Sequence, residues 1–333
     1  MPVPERLEQP RHAPVATMKL SANHTRYSVE TSSQGDGVST CGQALAAPKV
    51  SVIIPIYNAA DTIGDQLQAL AAQNYGGWWE VVAVDNMSDD ASADIVRSFQ
   101  DRIPRLRLVS ATARAGAAHA SNRGSQEAGG DLLVFCDADD VVGEGWLNAM
   151  VSALSTHQFV ASRHETGRLN PKWLAQARKN LQSDGLIPYR HPPFLSHAGG
   201  AGLGVHRAVH ESIGGFDENW PRLQDTDYCW RMQLSGVPLH FVPDAVMHVR
   251  YRQDLMDTFK QALTWGEYNV LLYKCYRSQG MPDLTLRDAI ASLRPLFRLR
   301  PLRTRRGRAG MVWKLGWFFG RVKGSLKHRV LAL

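Results

Sequence analysis

The chain has 333 residues, 44% of them hydrophobic, which is enough for one large α/β domain with an appendage. Its four cysteines, Cys41, Cys136, Cys229 and Cys275, lie far apart and form no CxxC pair; this argues against a zinc site or a disulfide framework and fits a reducing, cytoplasmic setting. The net charge of +7 sits at one end: twelve Lys and Arg and no acid fall between Ala289 and Leu333, so the preceding residues are net acidic.

Residues 1–48 are rich in Pro, Ser, Thr, Gly and Gln, lack the continuous apolar core of a signal peptide, and read as a disordered lead-in. No stretch reaches the roughly 18–20 apolar residues that a bilayer span requires. Val50–Pro55 is a β-branched apolar run, the pattern of a buried parallel strand. Asp61 is placed to cap a helix running to about Gln73. Strands at Glu80–Val84, Leu106–Val109 and Asp131–Cys136 then alternate with helices at Asp90–Phe99 and Gly116–Ala128. This βαβαβαβ order predicts a mainly parallel sheet wrapped by helices. A helix follows at Trp146–Leu154. Tyr189–Gly204, with Pro192, Pro193 and a run of glycines, reads as a long loop, and Gln253–Arg277 as a helix.

In such a sheet, ligands gather beyond the carboxyl ends of the strands. Pro55-Ile56-Tyr57-Asn58, Asp85 through Asp90, and Asp137-Ala138-Asp139-Asp140 occupy three of those ends. Three carboxylates within four residues repel one another, and a divalent cation relieves the repulsion; an all-oxygen set suits Mg²⁺ or Mn²⁺. Asp85 can either make an Asx-turn or accept the imide N–H of a pyrimidine base. Further on, Asp225 and Asp227 are two apart; on a helix they diverge by about 200°, so one can face the cleft while the other caps or pairs with Arg231. His206 and His210 have the spacing of a helical zinc pair, but Arg207 stands where that motif needs glutamate.

Five segments in one order, VSVIIPIYN, VVAVDNMSDD, AGAAHASNRGSQEAGGDLLVFCDADD, AGGAGLGVHRAVHESIGGFDE and LQDTDYCWRM, resemble the family 2 glycosyltransferases, from about Lys49 to Arg252. The resemblance implies an α/β GT-A fold, with residues 49–252 as the catalytic domain and 253–333 as a helical, basic extension. It implies that Pro55, Tyr57 and Asn58 line a nucleotide pocket, that Asp85 contacts the base, and that Asn122 lies close to the nucleotide. Asp137 is implied at the ribose or metal, Asp139 as the main metal ligand, His248 as a late addition to the metal site, and Asp225 as the general base. Ser121 and Gln224 depart from the family's usual Arg and Glu. The implied reaction is transfer with inversion from a nucleotide-diphosphate sugar, UDP favoured, to a hydroxyl of a glycan or lipid-linked acceptor. Two other classes compete. A sugar nucleotidyltransferase usually opens with a Gly-rich phosphate loop, and Ile56-Tyr57-Asn58-Ala59-Ala60 has none; a non-catalytic polyanion binder predicts loss of the acids that are present here. Nucleic acid is not an expected partner.

The tail carries one more signal. On a helix from Val312 to Leu333, the residues Val312, Leu315, Phe319, Val322, Leu326, Val330 and Leu333 fall within a stripe of roughly 80°. Lys323, Lys327 and Arg329 flank it, Trp313 and Trp317 add amphipathic rings, and seven arginines between Arg294 and Arg308 precede it. This pattern predicts peripheral binding to an anionic membrane on its cytoplasmic face; the alternative is a stripe packed on the catalytic domain.

Overall fold

A computed structural model describes residues 48–190, 192–284 and 303–332. The expected lead-in, apart from Pro48, and Arg294, Arg298, Arg300 and Leu333 of the tail lie outside the described residues. Four parallel-pairing strands appear where the apolar runs predict them: β1 (Val50–Ile56), β2 (Trp79–Asp85), β3 (Leu106–Ser110) and β4 (Leu132–Phe135). Their side chains alternate between two cores. Val52 and Ile54 face one with Ile63, Leu67 and Leu70 of helix α1 (Ile63–Ala71), while Ile53 faces the other with Ala118 and Ala120 of α3 (Ala117–Glu127). Burial on both faces is why these strands read as continuous rather than alternating hydrophobic runs. Helix α2 (Ser92–Ser98) joins β2 to β3.

The rest of the sheet is mixed. Its full order is β3-β2-β1-β4-β7-β6-β8-β5. Strand β5 (Val141–Val142) leads to helix α4 (Trp146–Leu154), then β6 (Phe159–Glu165) and the short α5 (Lys172–Ala175). Strand β7 (Leu203–His206) runs antiparallel to β4 and β6, and it takes the last two residues of the expected loop. Helices α6 (Arg207–Ser212) and α7 (Gln224–Leu234) precede β8 (His240–His248). Asp61 does not cap α1: Thr62 occupies the N-cap and makes no side-chain cap bond, so the helix begins two residues after the expected acid.

The C-terminal helices are α8 (Leu255–Tyr276), capped by Asp254, and α9 (Arg305–His328), capped by Thr304. They pack through a stripe of small residues and not through the expected apolar stripe. A Cβ on Gly320 would stand 2.1 Å from the Leu263 carbonyl oxygen, and one on Gly266 2.4 Å from that of Trp317. Lys323 and Lys327, expected at the shoulder of a membrane face, instead grip buried Glu267 at 2.7 and 2.6 Å. A desolvated carboxylate holds an ammonium more firmly than water does. Trp313 stacks edge-on against Trp265 and lies under the Arg178 guanidinium. The predicted stripe is only partly on the outside: Phe319 is 49% and Leu326 78% exposed, while Val312, Leu315 and Val322 are half-buried and Val330 packs against the buried cluster of Trp230 and Tyr273.

Because the backbones meet at glycines, Gly320→Val is expected to force α8 and α9 apart at a cost of about 3 kcal/mol. The measurement is a thermal melt with limited proteolysis of the region after Pro282. A variant that melts and resists cleavage like the wild type would show that the close approach contributes nothing.

Candidate active site

The sheet order places β1 between β2 and β4, all parallel, so their carboxyl ends open side by side. Ile56 is level with Asp85 in the register, and Tyr57 and Asn58 follow directly. Tyr57 is 67% exposed, and Pro55 lies just below it at the end of β1. Asn58 has φ +47° and is locked to the β2 loop: its N–H donates to the Ser88 hydroxyl at 3.0 Å, and its side-chain oxygen accepts from Asp89 N at 3.0 Å. Asp90 accepts from the N–H groups of Ala60 and Ser92, both at 2.9 Å. Asp85 makes one long contact, from Ser88 N three residues on at 3.3 Å, and not the two-residue bond of an Asx-turn; its other oxygen has no protein partner among the described residues. This rim is therefore rigid while the Asp85 carboxylate remains largely available.

Asn86, which sequence reasoning passed over, is the pin behind the rim. Its amide donates to the carbonyls of Ala111 and Arg114, and its oxygen accepts from Gly116 N at 2.7 Å. Asn122 is occupied elsewhere. Its amide spans Phe216 in both directions, at 2.8 and 2.9 Å, and also donates to Glu218 at 3.0 Å, so its polar atoms hold the Gly215–Glu218 turn. His119 adds a contact to the same Glu218 at 2.9 Å. His206 and His210 are structural, bonded to the Leu154 carbonyl and the Tyr228 hydroxyl.

The acids after β4 come together. One oxygen from each of Asp137, Asp139 and Asp140 lies within 4.8 Å of the others. Two elements fix the loop that carries them. Gln66 of α1 donates to the Asp137 carbonyl at 3.1 Å and accepts from Val142 N at 2.9 Å. Arg250, beyond β8, sends its backbone N–H to Asp140 at 2.8 Å, its Nε to the Asp139 carbonyl at 3.0 Å and a guanidinium nitrogen to Asp65 at 2.9 Å. Burial pushes the Asp137 carboxyl up to about 7, with the charges of Asp139 and Asp225 adding to it. Burial likewise raises Asp140 well above its usual range, reinforced by Asp139 and Asp137. Hard oxygen donors that resist ionisation when alone are the donor set a divalent cation satisfies.

Asp225 stands in the first turn of α7. Its carboxylate accepts from Gly200 N at 3.0 Å and Thr226 N at 2.7 Å, and burial raises its pKa. Asp227 points away as the helical angle requires: it is fully buried and bonded to Arg231 Nε at 2.8 Å and the Tyr276 hydroxyl at 2.7 Å. His248 pairs with Val141, the residue after Asp140, and is not among the three residues of the acidic cluster. The charge of Asp225 is felt at Asp137, so the α7 acid lies within electrostatic reach of the acidic loop.

The Asp137 pKa has a consequence for stability. The unfolded chain releases this proton near pH 4 and the folded chain near 7, so stability falls between those values and is flat above them. Asp137→Asn is therefore expected to raise the melting temperature at pH 8 in chelator by roughly 5 °C, with no difference near pH 4. Melts across that range check it; an unchanged value at pH 8 contradicts it.

Comparison with known proteins agrees with this geometry. Residues 51–213 match the model of glycosyl transferase family 2. The glycosyltransferase AglE of Haloferax volcanii is 37% identical over 205 residues, covering 60% of this chain and 66% of AglE, so the chain spans just under two thirds of that relative. The amylovoran biosynthesis glycosyltransferase AmsB of Erwinia amylovora is 27% identical over 265 residues, covering 68% of this chain and 82% of AmsB. Among solved structures, the mannosyltransferase PcManGT of Pyrobaculum calidifontis, in complex with GDP-Man and Mn²⁺, has a TM-score of 0.60 at 20% identity over 85% of this chain and 88% of its own. The fold is GT-A, and the chain belongs to glycosyltransferase family 2.

Proposed function

We propose that the chain is an inverting, metal-dependent glycosyltransferase that moves a sugar from a nucleotide diphosphate to an acceptor hydroxyl. The observation that carries this reading is the cluster of Asp137, Asp139 and Asp140 just beyond β4, beside a rim built from the ends of β1 and β2. Pro55, Tyr57 and Asn58 form the wall for the nucleotide, and the available Asp85 oxygen accepts the imide N–H of a uracil ring. Asp137, Asp139 and Asp140 have the donor chemistry for Mn²⁺ or Mg²⁺, and His248 supplies a further ligand. A cation held there offsets the charge that collects on the departing diphosphate. Asp225 takes the proton from the acceptor hydroxyl as its oxygen attacks the anomeric carbon from the face opposite the diphosphate. Its raised pKa suits that work, since a base is most effective when its pKa lies nearer the working pH. AmsB's part in amylovoran biosynthesis supports a glycan or glycolipid of the cell surface as the product class.

Asp139→Asn is expected to abolish transfer, and EDTA to do so reversibly; full activity in EDTA removes the metal from the proposal. Asp225→Asn retains shape and loses the proton acceptor, so kcat is expected to fall by about 10² or more with donor affinity little changed. Normal transfer by Asp225→Asn, or retention at the anomeric carbon of the product, contradicts the single displacement. Release of nucleotide across a donor panel with Mn²⁺ identifies the base and the sugar.

We also propose peripheral attachment to an anionic, cytoplasmic membrane surface through α9. Among the described residues no helix is long and apolar enough to cross a membrane. The support is the outward face of α9, where Phe319 and Leu326 stand exposed, with exposed Lys314 within the helix and exposed Arg329 at its C-cap. Each cation near such a surface contributes about 1 kcal/mol. Phe319→Glu with Leu326→Glu is expected to lower co-sedimentation with phosphatidylserine-containing vesicles at least tenfold, and high salt to lower that of the wild type. Binding indifferent to both leaves α9 as a packing element only.

A further inference from the structure

We propose that Glu165 is a positioning residue that fixes His248 in the tautomer able to bind the metal ion. The inference rests on the reading of His248 as a metal ligand given above. Glu165 ends β6 and His248 ends β8; the two are level in the parallel register. The Glu165 Oε2 lies 2.7 Å from His248 Nδ1. An ionised carboxylate, the ordinary form at neutral pH, only accepts. Nδ1 must therefore carry the hydrogen. In a neutral imidazole the lone pair then belongs to Nε2, which has no protein partner among the described residues and is not a buried orphan.

Glu165 is itself immobilised. Its two oxygens also accept from the N–H groups of Gly167 and, at 3.2 Å, Arg168, while its carbonyl accepts from Val249 N at 2.8 Å. On the other side of β8, His248 is level with Val141, next in sequence to Asp140, and the Arg250 N–H two residues on reaches the Asp140 carboxylate. The sheet thus carries a row of Glu165, His248 and Val141 that ends at the acidic loop. A carboxylate behind an imidazole, on a strand whose neighbour continues directly from the acidic loop, is the arrangement by which proteins orient a metal-binding histidine and raise its basicity. Were Glu165 only a tie for the turn at 167–168, the short bond to His248 would be without consequence.

The test uses the full chain. In metal-free protein at pH 8, ¹⁵N spectra of the imidazoles, with His248 assigned from His248→Ala, are expected to show the Nδ1–H form; Glu165→Ala shifts His248 towards Nε2–H, and Glu165→Gln, which retains an accepting oxygen, does not. Free Mn²⁺ read by electron paramagnetic resonance is expected to show binding about tenfold weaker in Glu165→Ala and in His248→Ala, and within about threefold of wild type in Glu165→Gln. An unchanged tautomer in Glu165→Ala overturns the proposal, as does Mn²⁺ affinity that falls in His248→Ala alone. If His248→Ala binds Mn²⁺ like the wild type, the ligand reading of His248 fails and the proposal fails with it. Melting curves of the three variants separate a loss of fold from a loss of tautomer control.

Discussion

Mutual repulsion among carboxylates is the constraint around which this molecule is arranged. One oxygen from each of Asp137, Asp139 and Asp140 lies within 4.8 Å of the others, and Asp225 adds its charge to Asp137. Left to itself such a cluster would open towards solvent. It is held by backbone and side-chain bonds that do not depend on the charges of the acids alone: Gln66 brackets the loop from α1, and Arg250 clamps it from beyond β8 while leaning on Asp65. Arg250 and Arg252 also act electrostatically on Asp139. A small, highly charged cation is the partner such a group of carboxylates suits, because it offsets several of them at once.

The sequence makes the acidic loop and the parallel half of the sheet legible for the same reason: both are written locally. VSVIIP, EVVAV and DLLVFC are apolar on both faces, and DADD is contiguous. The second half of the sheet is written in pairings across distance. β5 has two residues, β6 shifts register between Ser162 and Arg163, and β7 emerges from a glycine run, so none of them offers a clean period. The residues that steady the site share this property. Gln66 acts on residues about 70 positions away and Arg250 on residues 110 away, and neither has a local signature. Asn86 had a weak one, a polar side chain directly after a buried strand beside the notable Asp85. Asn122 shows the converse: its place in the motif is right, and its amide is spent on the Phe216 turn.

The C-terminal helix shows why helical periodicity alone does not select a packing face. The apolar stripe from Val312 to Val330 is the stronger hydrophobic signal, yet glycines 316, 320 and 324 face α8. Close backbone approach gathers many weak dispersion contacts along the full length of two helices, which bulky side chains would prevent. The buried polar groups reinforce that choice. Glu267 meets two lysines, and the Arg321 guanidinium bonds to the Ala332 carbonyl at 2.9 Å and the Asn269 side-chain oxygen at 3.0 Å. Rotating α9 to bury its apolar stripe would strand these charges, at a cost larger than the area gained from Phe319 and Leu326.

That same helix pair bears on catalysis through α7. Asp225 and Asp227 are two residues apart and face opposite ways, so whatever fixes one fixes the azimuth of the other. Asp227 is fixed by Arg231 within α7 and by the hydroxyl of Tyr276, at the end of α8. Trp230 seals the contact, stacked edge-on between Tyr189 and Tyr276 with its Nε1 donating to the Leu195 carbonyl at 2.8 Å. Rotation of α7 by even a fraction of a turn would draw Asp225 off the Gly200 N–H and break the buried Asp227 bonds together. Helix α8 therefore does more than follow α7 in the chain: through the Tyr276 hydroxyl on Asp227, its last turn sets the angle at which the proposed base is held.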